Sequence, residues 1–231
     1  MLAIVTVSEV GILILAAIAM TFVGGIPFGF LIGWIHGIDV RKAGSGNIGA
    51  TNVGRLCGRF WGVLTLLLDA AKGFVPCLVI APWLGARLVP GVPHAEVVMQ
   101  VVFGMGAIFG HMFPVYLKFK GGKGIATAAG VFLAAAPWAL LCAFLAWLIF
   151  TAVTRYVSIG SIASVIALAG GQAITDPEAF RNRFGVTLFA IGTAVIAIWK
   201  HRGNILRLIQ GTEPKIKLGQ KKPADEPGGA A

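Results

Sequence analysis

Short polar side chains and glycines alternate in residues 44–55, which read GSGNIGATNVGR. Glycines let backbone N–H groups approach an anion, and the planar fork of an arginine suits a phosphate. We therefore predict a phosphate-binding loop, and its candidate ligand residues are Gly44, Ser45, Gly46, Asn47, Thr51, Asn52 and Arg55. A polar loop that only caps two helices is the alternative interpretation.

A second glycine-rich segment covers residues 118–124, KFKGGKG, and an apolar stretch follows it. Its spacing differs from the Walker A motif, which places four residues between its first glycine and the Gly-Lys pair. Exposed N–H groups and the positive end of a helix dipole would still attract an anion at this position. We predict that Lys123 binds an anion together with Gly121, Gly122 and Gly124. A basic loop that only sets membrane topology is the alternative.

A third segment, residues 199–213, contains His201 and Asn204, which share one face if the helix continues through them. Both are candidate site residues. Attraction to anionic lipid alone is the alternative for Arg207 and for the lysines that follow it.

Polar residues also occur inside apolar stretches. Asp69 and Lys72 are three residues apart, so they form either an ion pair or part of the site, and the sequence favours neither. Ser158 and Ser161 share a helix face, although serines in membrane helices more often bond a backbone carbonyl. We expect His111 to lie at the membrane interface.

Composition indicates what kind of scaffold positions these residues. The 231-residue chain is 57% hydrophobic and 12% charged, with a mean hydropathy of +0.86. Soluble domains are about 25% charged, so this is a membrane composition. The three cysteines lack the paired spacing of a disulfide framework or a zinc site. We expect no metal, no cofactor, no nucleic acid and no obligate protein partner.

Apolar runs predict an all-α polytopic membrane protein with seven transmembrane helices. The runs are 9–35, 60–84, 96–113, 125–136, 137–153, 157–174 and 184–199. Basic residues alternate between the connecting loops, which places the N-terminus in the periplasm and the C-terminus in the cytoplasm. The run 125–153 is long for one helix and short for two, and we predict a break at Pro137. Residues 1–213 would form one transmembrane domain, and residues 214–231 a disordered cytoplasmic tail.

Four motifs together resemble the bacterial acyl-phosphate-dependent glycerol-3-phosphate acyltransferase family. They are Gly44–Asn52 (GSGNIGATN), Asp69–Gly73 (DAAKG), Lys120–Gly124 (KGGKG), and Lys200–Ile205 (KHRGNI) followed by Gly211–Glu213 (GTE). The resemblance implies a seven-helix enzyme of the bacterial inner membrane whose active site faces the cytoplasm. Its substrates would be acyl phosphate and glycerol 3-phosphate, and its only other partner would be membrane lipid.

The resemblance also implies the reaction and the roles of particular residues. A fatty acyl group would move to the 1-hydroxyl of glycerol 3-phosphate, giving lysophosphatidic acid and inorganic phosphate, the first acylation of phospholipid synthesis. The matching catalytic residues are Ser45, Arg55, Lys123, His201 and Asn204, with Ser161 at the substrate and Glu213 as a supporting residue. The base would be His201 or a substrate phosphate, and the resemblance favours the phosphate.

Two other functions fit a basic pocket in a membrane protein. A transporter of organic phosphates would place an anion site on broken helices, but such folds often have inverted halves, and we find none here. A lipid-binding scaffold without catalysis is the second alternative.

Overall fold

The computed structural model describes residues 5–216, which form helices and loops with no β-strand in that range. The α-helices are α1 (Val7–Gly25), α2 (Phe28–Ile35), α3 (Ala50–Leu56), α4 (Arg59–Val75), α5 (Ala81–Leu88), α6 (Ala95–Met112), α7 (Ile125–Ala135), α8 (Pro137–Thr154), α9 (Val157–Thr175), α10 (Phe184–Lys200) and α11 (Arg202–Ile209). A π-helical turn, Pro76–Ile80, joins α4 to α5, and a 3₁₀ turn, Val115–Leu117, follows α6.

Five segments of the described chain are long and apolar enough to cross a membrane, and a bent sixth raises the number to six. The five are Val7–Ile35, Arg59–Leu88, Ala95–Leu117, Pro137–Thr154 and Val157–Thr175. The sixth combines α10 with α11, which meet at an angle of 52°. The chain is therefore an integral membrane protein, as its composition predicts.

The predicted run 125–136 forms a helix, α7, which is short for a membrane span. The break expected at Pro137 is confirmed, because α7 ends at Ala135 and α8 begins at Pro137. However, α7 has 11 residues. At about 1.5 Å per residue it rises roughly 16 Å, about half of the ~30 Å hydrocarbon layer. Its length alone therefore does not support a full crossing.

Small residues bring the helices of the bundle into close contact. A Cβ atom added to Gly24 of α1 would collide with the backbone of Ala107 in α6. A Cβ atom added to Gly130 of α7 would collide with the carbonyl oxygen of Ala70 in α4. Close backbone approach through glycine is the usual way in which membrane helices gain packing contacts. These contacts fix α4, α6 and α7, which carry much of the site described below.

The C-terminal end of α6 holds two of the three predicted site segments. The His111 carbonyl oxygen accepts a hydrogen bond from Gly122 N at 3.1 Å, which fixes the glycine-rich loop before α7. The neighbouring Met112 carbonyl oxygen accepts one from Lys200 Nζ at 2.8 Å, which fixes the end of α10. Hydrogen bonds to adjacent residues of α6, His111 and Met112, thus hold the second and third segments.

The first residues of the predicted tail lie against the bundle. Ile216 N donates to the Arg155 carbonyl oxygen at 2.8 Å, and Lys215 Nζ lies 5.2 Å from the centre of the Tyr156 ring. Residues 217–231, the remainder of that prediction, lie outside the described residues.

We predict that Gly130→Ala destabilises the protein by about 1–3 kcal/mol, because the new methyl group has to push α4 away from α7. Gly170→Ala in α9 is the matched control, since nothing lies within 4 Å of its added Cβ atom. Thermal unfolding in detergent measures both. Equal midpoints for the two variants would contradict the described packing of α4 on α7.

Candidate active site

The three predicted segments meet at one cavity of about 440 Å³. Its walls also include residues of α4, α6, α8 and α9. Most of the site residues predicted from the sequence line it: Ser45, Asn47, Thr51, Asn52, Arg55, Asp69, Lys123, Gly124, Ser161, His201, Asn204 and Glu213. Residues more than 150 positions apart in sequence thus share one site.

Four of the predicted glycines do not line the cavity and instead shape its loops. Gly44 and Gly46 have φ values of +59° and +70°, a left-handed conformation that glycine adopts without strain. Gly121 and Gly122 pack so tightly on the end of α6 that an added Cβ atom would collide with His111. Their closest contacts are therefore with the protein itself.

Asn52 organises the first segment from within. Its Oδ1 accepts a hydrogen bond from Ser45 N at 2.9 Å, and its Nδ2 lies 2.9 Å from the Asn47 carbonyl oxygen and 3.0 Å from that of Val40. The side chain is 1% exposed. Asn52 thus holds the loop in a fixed shape, while Arg55, one turn further along α3, keeps an exposed side chain at the cavity.

A chain of polar contacts joins the second segment to the third. Lys123 Nζ donates to Asn204 Oδ1, and Asn204 Nδ2 donates to Glu213 Oε1 at 2.6 Å. Arg207 Nε donates to Glu213 Oε2 at 2.8 Å. Glu213 therefore fixes the amide of Asn204 so that its oxygen faces Lys123, which agrees with the supporting role expected for this residue.

His201 lies at the bend between α10 and α11 and is 1% exposed. Its Nδ1 is 2.8 Å from the Ala197 carbonyl oxygen, so Nδ1 carries the proton in this contact. In the neutral ring, Nε2 then keeps a lone pair. His201 can accept a hydrogen bond or a proton at the cavity.

The polar end of the cavity is electrostatically positive. Burial lowers the pKa of Lys123 to about 8; Glu213 raises it, and the nearby Arg207 and Arg55 lower it. Burial alone would raise the pKa of Glu213, but hydrogen bonds from groups that include Asn204 and Arg207 lower it, so this carboxylate is ionised. One carboxylate faces three cations, and an anionic ligand would relieve the remaining repulsion.

Asp69, Lys72 and His111 form a buried cluster beside the cavity, which we call the Lys72 cluster. Lys72 Nζ lies 2.8 Å from Asp69 Oδ1 and 2.9 Å from His111 Nδ1. Asp69 and His111 line the cavity, whereas Lys72 does not. The ion-pair interpretation of Asp69 and Lys72 is thus confirmed. His111, in the last turn of α6, is 4% exposed and completes the cluster, and its position at the membrane interface stays a prediction.

The other end of the cavity is apolar. Its walls include Leu66 and Leu67 of α4 and Phe144 and Trp147 of α8. Leu67 and Phe144 are 59% and 54% exposed, so the cavity reaches the outer surface of the bundle at this end. Polar and hydrocarbon groups of one ligand could therefore be held in the same cavity.

No three His, Cys, Asp or Glu side chains within residues 5–216 come together in a way that could hold a metal ion. The charged groups that remain for binding a ligand are the cations at the polar end.

Comparison with known proteins identifies the family. The sequence matches the family described as glycerol-3-phosphate acyltransferase over residues 14–211. It is 47% identical over 196 residues to a glycerol-3-phosphate acyltransferase of Trichlorobacter lovleyi, covering 84% of this chain and 92% of that protein. It is 44% identical over 195 residues to one of Anaeromyxobacter sp. strain K, with the same coverage.

Two solved structures share the fold. The crystal structure of PlsY, an integral membrane glycerol 3-phosphate acyltransferase, in its glycerol 3-phosphate form is 37% identical with a TM-score of 0.77, covering 90% of this chain and 96% of that one. The lysophosphatidic acid form is 36% identical with a TM-score of 0.75. The family match over most of the chain and these identities agree with the geometry of the cavity, and the chain belongs to the glycerol-3-phosphate acyltransferase family.

Proposed function

We propose that this protein transfers a fatty acyl group from acyl phosphate to the 1-hydroxyl of glycerol 3-phosphate. The observation that carries the proposal is the single cavity with a cationic end and an apolar end. An acyl phosphate has the same two parts, and so does lysophosphatidic acid. A water-soluble substrate needs only the cationic end, which is where glycerol 3-phosphate would bind.

The cations would hold two phosphoryl groups near each other. Arg55 supplies a planar fork, Lys123 supplies a point charge, and the backbone at the start of α7 lines the same space. Ser45 and Asn204 add neutral hydrogen-bonding groups. Bringing two anions together is the main obstacle to this reaction, so neutralising and orienting them supplies most of the catalysis.

The chemical step needs no covalent acyl-enzyme, because acyl phosphate is a mixed anhydride with a good leaving group. The 1-hydroxyl oxygen attacks the acyl carbonyl carbon and forms the ester bond. The bond from that carbon to the phosphate oxygen breaks, and phosphate leaves with the electron pair. The hydroxyl proton passes to His201 Nε2 or to a phosphate oxygen. The products are lysophosphatidic acid and inorganic phosphate.

We further propose seven membrane crossings within residues 1–213, with the tail and the cavity's polar end in the cytoplasm. The contacts at the two ends of α7 support this count. Lys123, before α7, contacts Asn204 at the polar end, whereas the carbonyl oxygen of Ala135, at its other end, accepts a hydrogen bond from Arg183 before α10. The two ends of α7 would therefore lie towards opposite faces of the membrane.

Contacts at the opposite end of the bundle support a periplasmic N-terminus. Glu9 Oε1 at the start of α1 accepts a hydrogen bond from Gly91 N at 2.7 Å, in the loop between α5 and α6. The stretch 85–95, which includes the end of α5 and this loop, holds a single basic residue, Arg87. Loops poor in lysine and arginine are typical of the periplasmic side, so this orientation suits the bacterial inner membrane.

A reconstitution assay separates the enzyme from its alternatives. Purified protein in lipid bilayers is incubated with labelled glycerol 3-phosphate and either acyl phosphate or acyl-CoA. We expect labelled lysophosphatidic acid with acyl phosphate only. Product with acyl-CoA alone would overturn the proposed donor, whereas a folded sample that gives no product with either donor would overturn the enzyme. Uptake of labelled glycerol 3-phosphate into vesicles without product would support a transporter.

We predict that Arg55→Ala and Lys123→Ala each lower kcat/KM by about 30- to 1,000-fold, which corresponds to about 2–4 kcal/mol of transition-state stabilisation. Arg59→Ala and Lys120→Ala are matched controls, because both are exposed and neither lines the cavity. The same assay measures all four variants. Wild-type turnover by Arg55→Ala or Lys123→Ala would remove that residue from the mechanism.

We also predict that kcat/KM for glycerol 3-phosphate falls as the pH rises through about 8. The pKa of Lys123 is lowered to about 8, so its charge is present below that pH and is lost above it. Lys123→Arg should move the decline to higher pH, because arginine stays protonated there. An unchanged alkaline decline in Lys123→Arg would mean that another group titrates.

A further inference from the structure

His111 lines the cavity, and one of its two ring nitrogens contacts Lys72. It lies near the end of α6 and is 4% exposed. Its carbonyl oxygen holds Gly122, the residue directly before Lys123. Nothing in the chemical step described above uses its side chain.

The surroundings of Lys72 determine which ring nitrogen of His111 carries the proton. Lys72 Nζ has three close partners: Asp69 Oδ1 at 2.8 Å, the Ile26 carbonyl oxygen at 2.9 Å and His111 Nδ1 at 2.9 Å. An ammonium group has three N–H donors and no acceptor, so each partner must accept. Asp69 Oδ1 also lies 3.5 Å from His111 Nδ1, which is longer than a good N–H···O hydrogen bond, so the 2.9 Å contact with Lys72 decides the proton position. His111 Nδ1 therefore carries a lone pair, and in the neutral ring the proton is on Nε2.

His111 Nε2 lies beside Gly122, in the loop directly before Lys123. A Cβ atom added to Gly122 would collide with His111 Nε2, so only glycine lets the loop lie this close to the ring. Among the described residues, no hydrogen bond of Nε2 is formed, whereas Nδ1 is engaged by Lys72. A donor without an acceptor at the wall of a cation-lined cavity is a ready ligand for an anion.

We propose that His111 is a further substrate-binding residue, which donates its Nε2–H to a phosphoryl oxygen in the cavity. The proposal rests on the proposed function for the identity of the ligand, since the oxygen belongs to either glycerol 3-phosphate or acyl phosphate. Lys72 and Asp69 act as positioning residues, because they keep the proton on Nε2. His201 has the opposite arrangement, with its proton on Nδ1, so the two histidines at the cavity offer one donor and one acceptor.

Nitrogen NMR of the protein labelled at histidine tests the proton position without any turnover. The chain has four histidines, and His111→Gln assigns the signal of interest by its loss. His36 and His201 both place Nδ1 2.8 Å from a carbonyl oxygen four residues earlier, which predicts the Nδ1–H form for them. We expect the Nε2–H form for His111 and a shift of that signal when glycerol 3-phosphate or acyl phosphate is added. An Nδ1–H form, or a signal that neither substrate shifts, would overturn the proposal.

Kinetics provide the second test. His111→Leu should lower kcat/KM by about 10- to 100-fold, as for a lost hydrogen-bond donor to a charged group. His111→Gln, which restores an amide N–H near the same position, should recover most of that loss, and a purely structural role would not predict such recovery. A rise in KM for only one substrate identifies whose phosphate is bound. His94→Gln is the control, because His94 is exposed and does not line the cavity.

Wild-type rates in a folded His111→Leu variant would contradict the proposal. If that variant does not fold, the NMR result decides. Absence of acyl transfer by the wild-type protein would instead count against the proposed function, while the proton position of His111 would still be measurable.

Discussion

The site depends on an excess of positive charge in the cavity, which the carboxylates of the protein do not fully neutralise. Arg55, Lys123 and Arg207 face one cavity in which Glu213 pairs with Arg207. Asp69 also lines this cavity, but its charge is already paired with Lys72, which lies behind the cavity wall. Holding like charges close together in a partly buried place is costly unless an anion binds between them. The same charges that destabilise the empty cavity would stabilise two phosphoryl groups and the charge that moves between them. The apolar end, formed by the membrane-facing helices, would keep the acyl chain in its own hydrocarbon environment.

The rest of the fold keeps these charges in place. The end of α6 is the common support, since neighbouring carbonyl oxygens of His111 and Met112 hold the loop before α7 and the end of α10. The Lys72 cluster adds a second fastening, because its ammonium joins α4, α6 and the break between α1 and α2 through Ile26. Glycines determine how near these parts can approach. Hydrogen bonds therefore hold the backbone around the charged end of the site, while the apolar end reaches the surface of the bundle.

Much of this arrangement is predictable from sequence, because it depends on local chemistry. Glycine and cation spacing identified the segments that meet, and a proline within an apolar run identified the break between α7 and α8. The predicted run 125–136 agrees with α7, Ile125–Ala135, to within one residue. The attachment of the preceding loop to α6 was not predictable, since it depends on tertiary packing. The contact between His111 and Lys72 was also missed. A buried lysine needs several acceptors, and the sequence around Lys72 offers only Asp69, which signals that further partners exist. Only tertiary packing brings a histidine 39 residues away into contact with it. Likewise, the four glycines that shape the loops have the same sequence signature as glycines that contact a ligand.

The central claim is that all three segments open on the same face of the membrane, and sided labelling tests it most directly. The native cysteines Cys57, Cys77 and Cys142 are first replaced, and single cysteines are then introduced at exposed positions of each segment, as Thr51→Cys, Lys120→Cys and Arg202→Cys. A membrane-impermeant thiol reagent is applied to right-side-out and inside-out vesicles. We expect all three cysteines to react only when the cytoplasmic face is exposed. Reaction of any one of them from the periplasmic face would contradict a shared cavity.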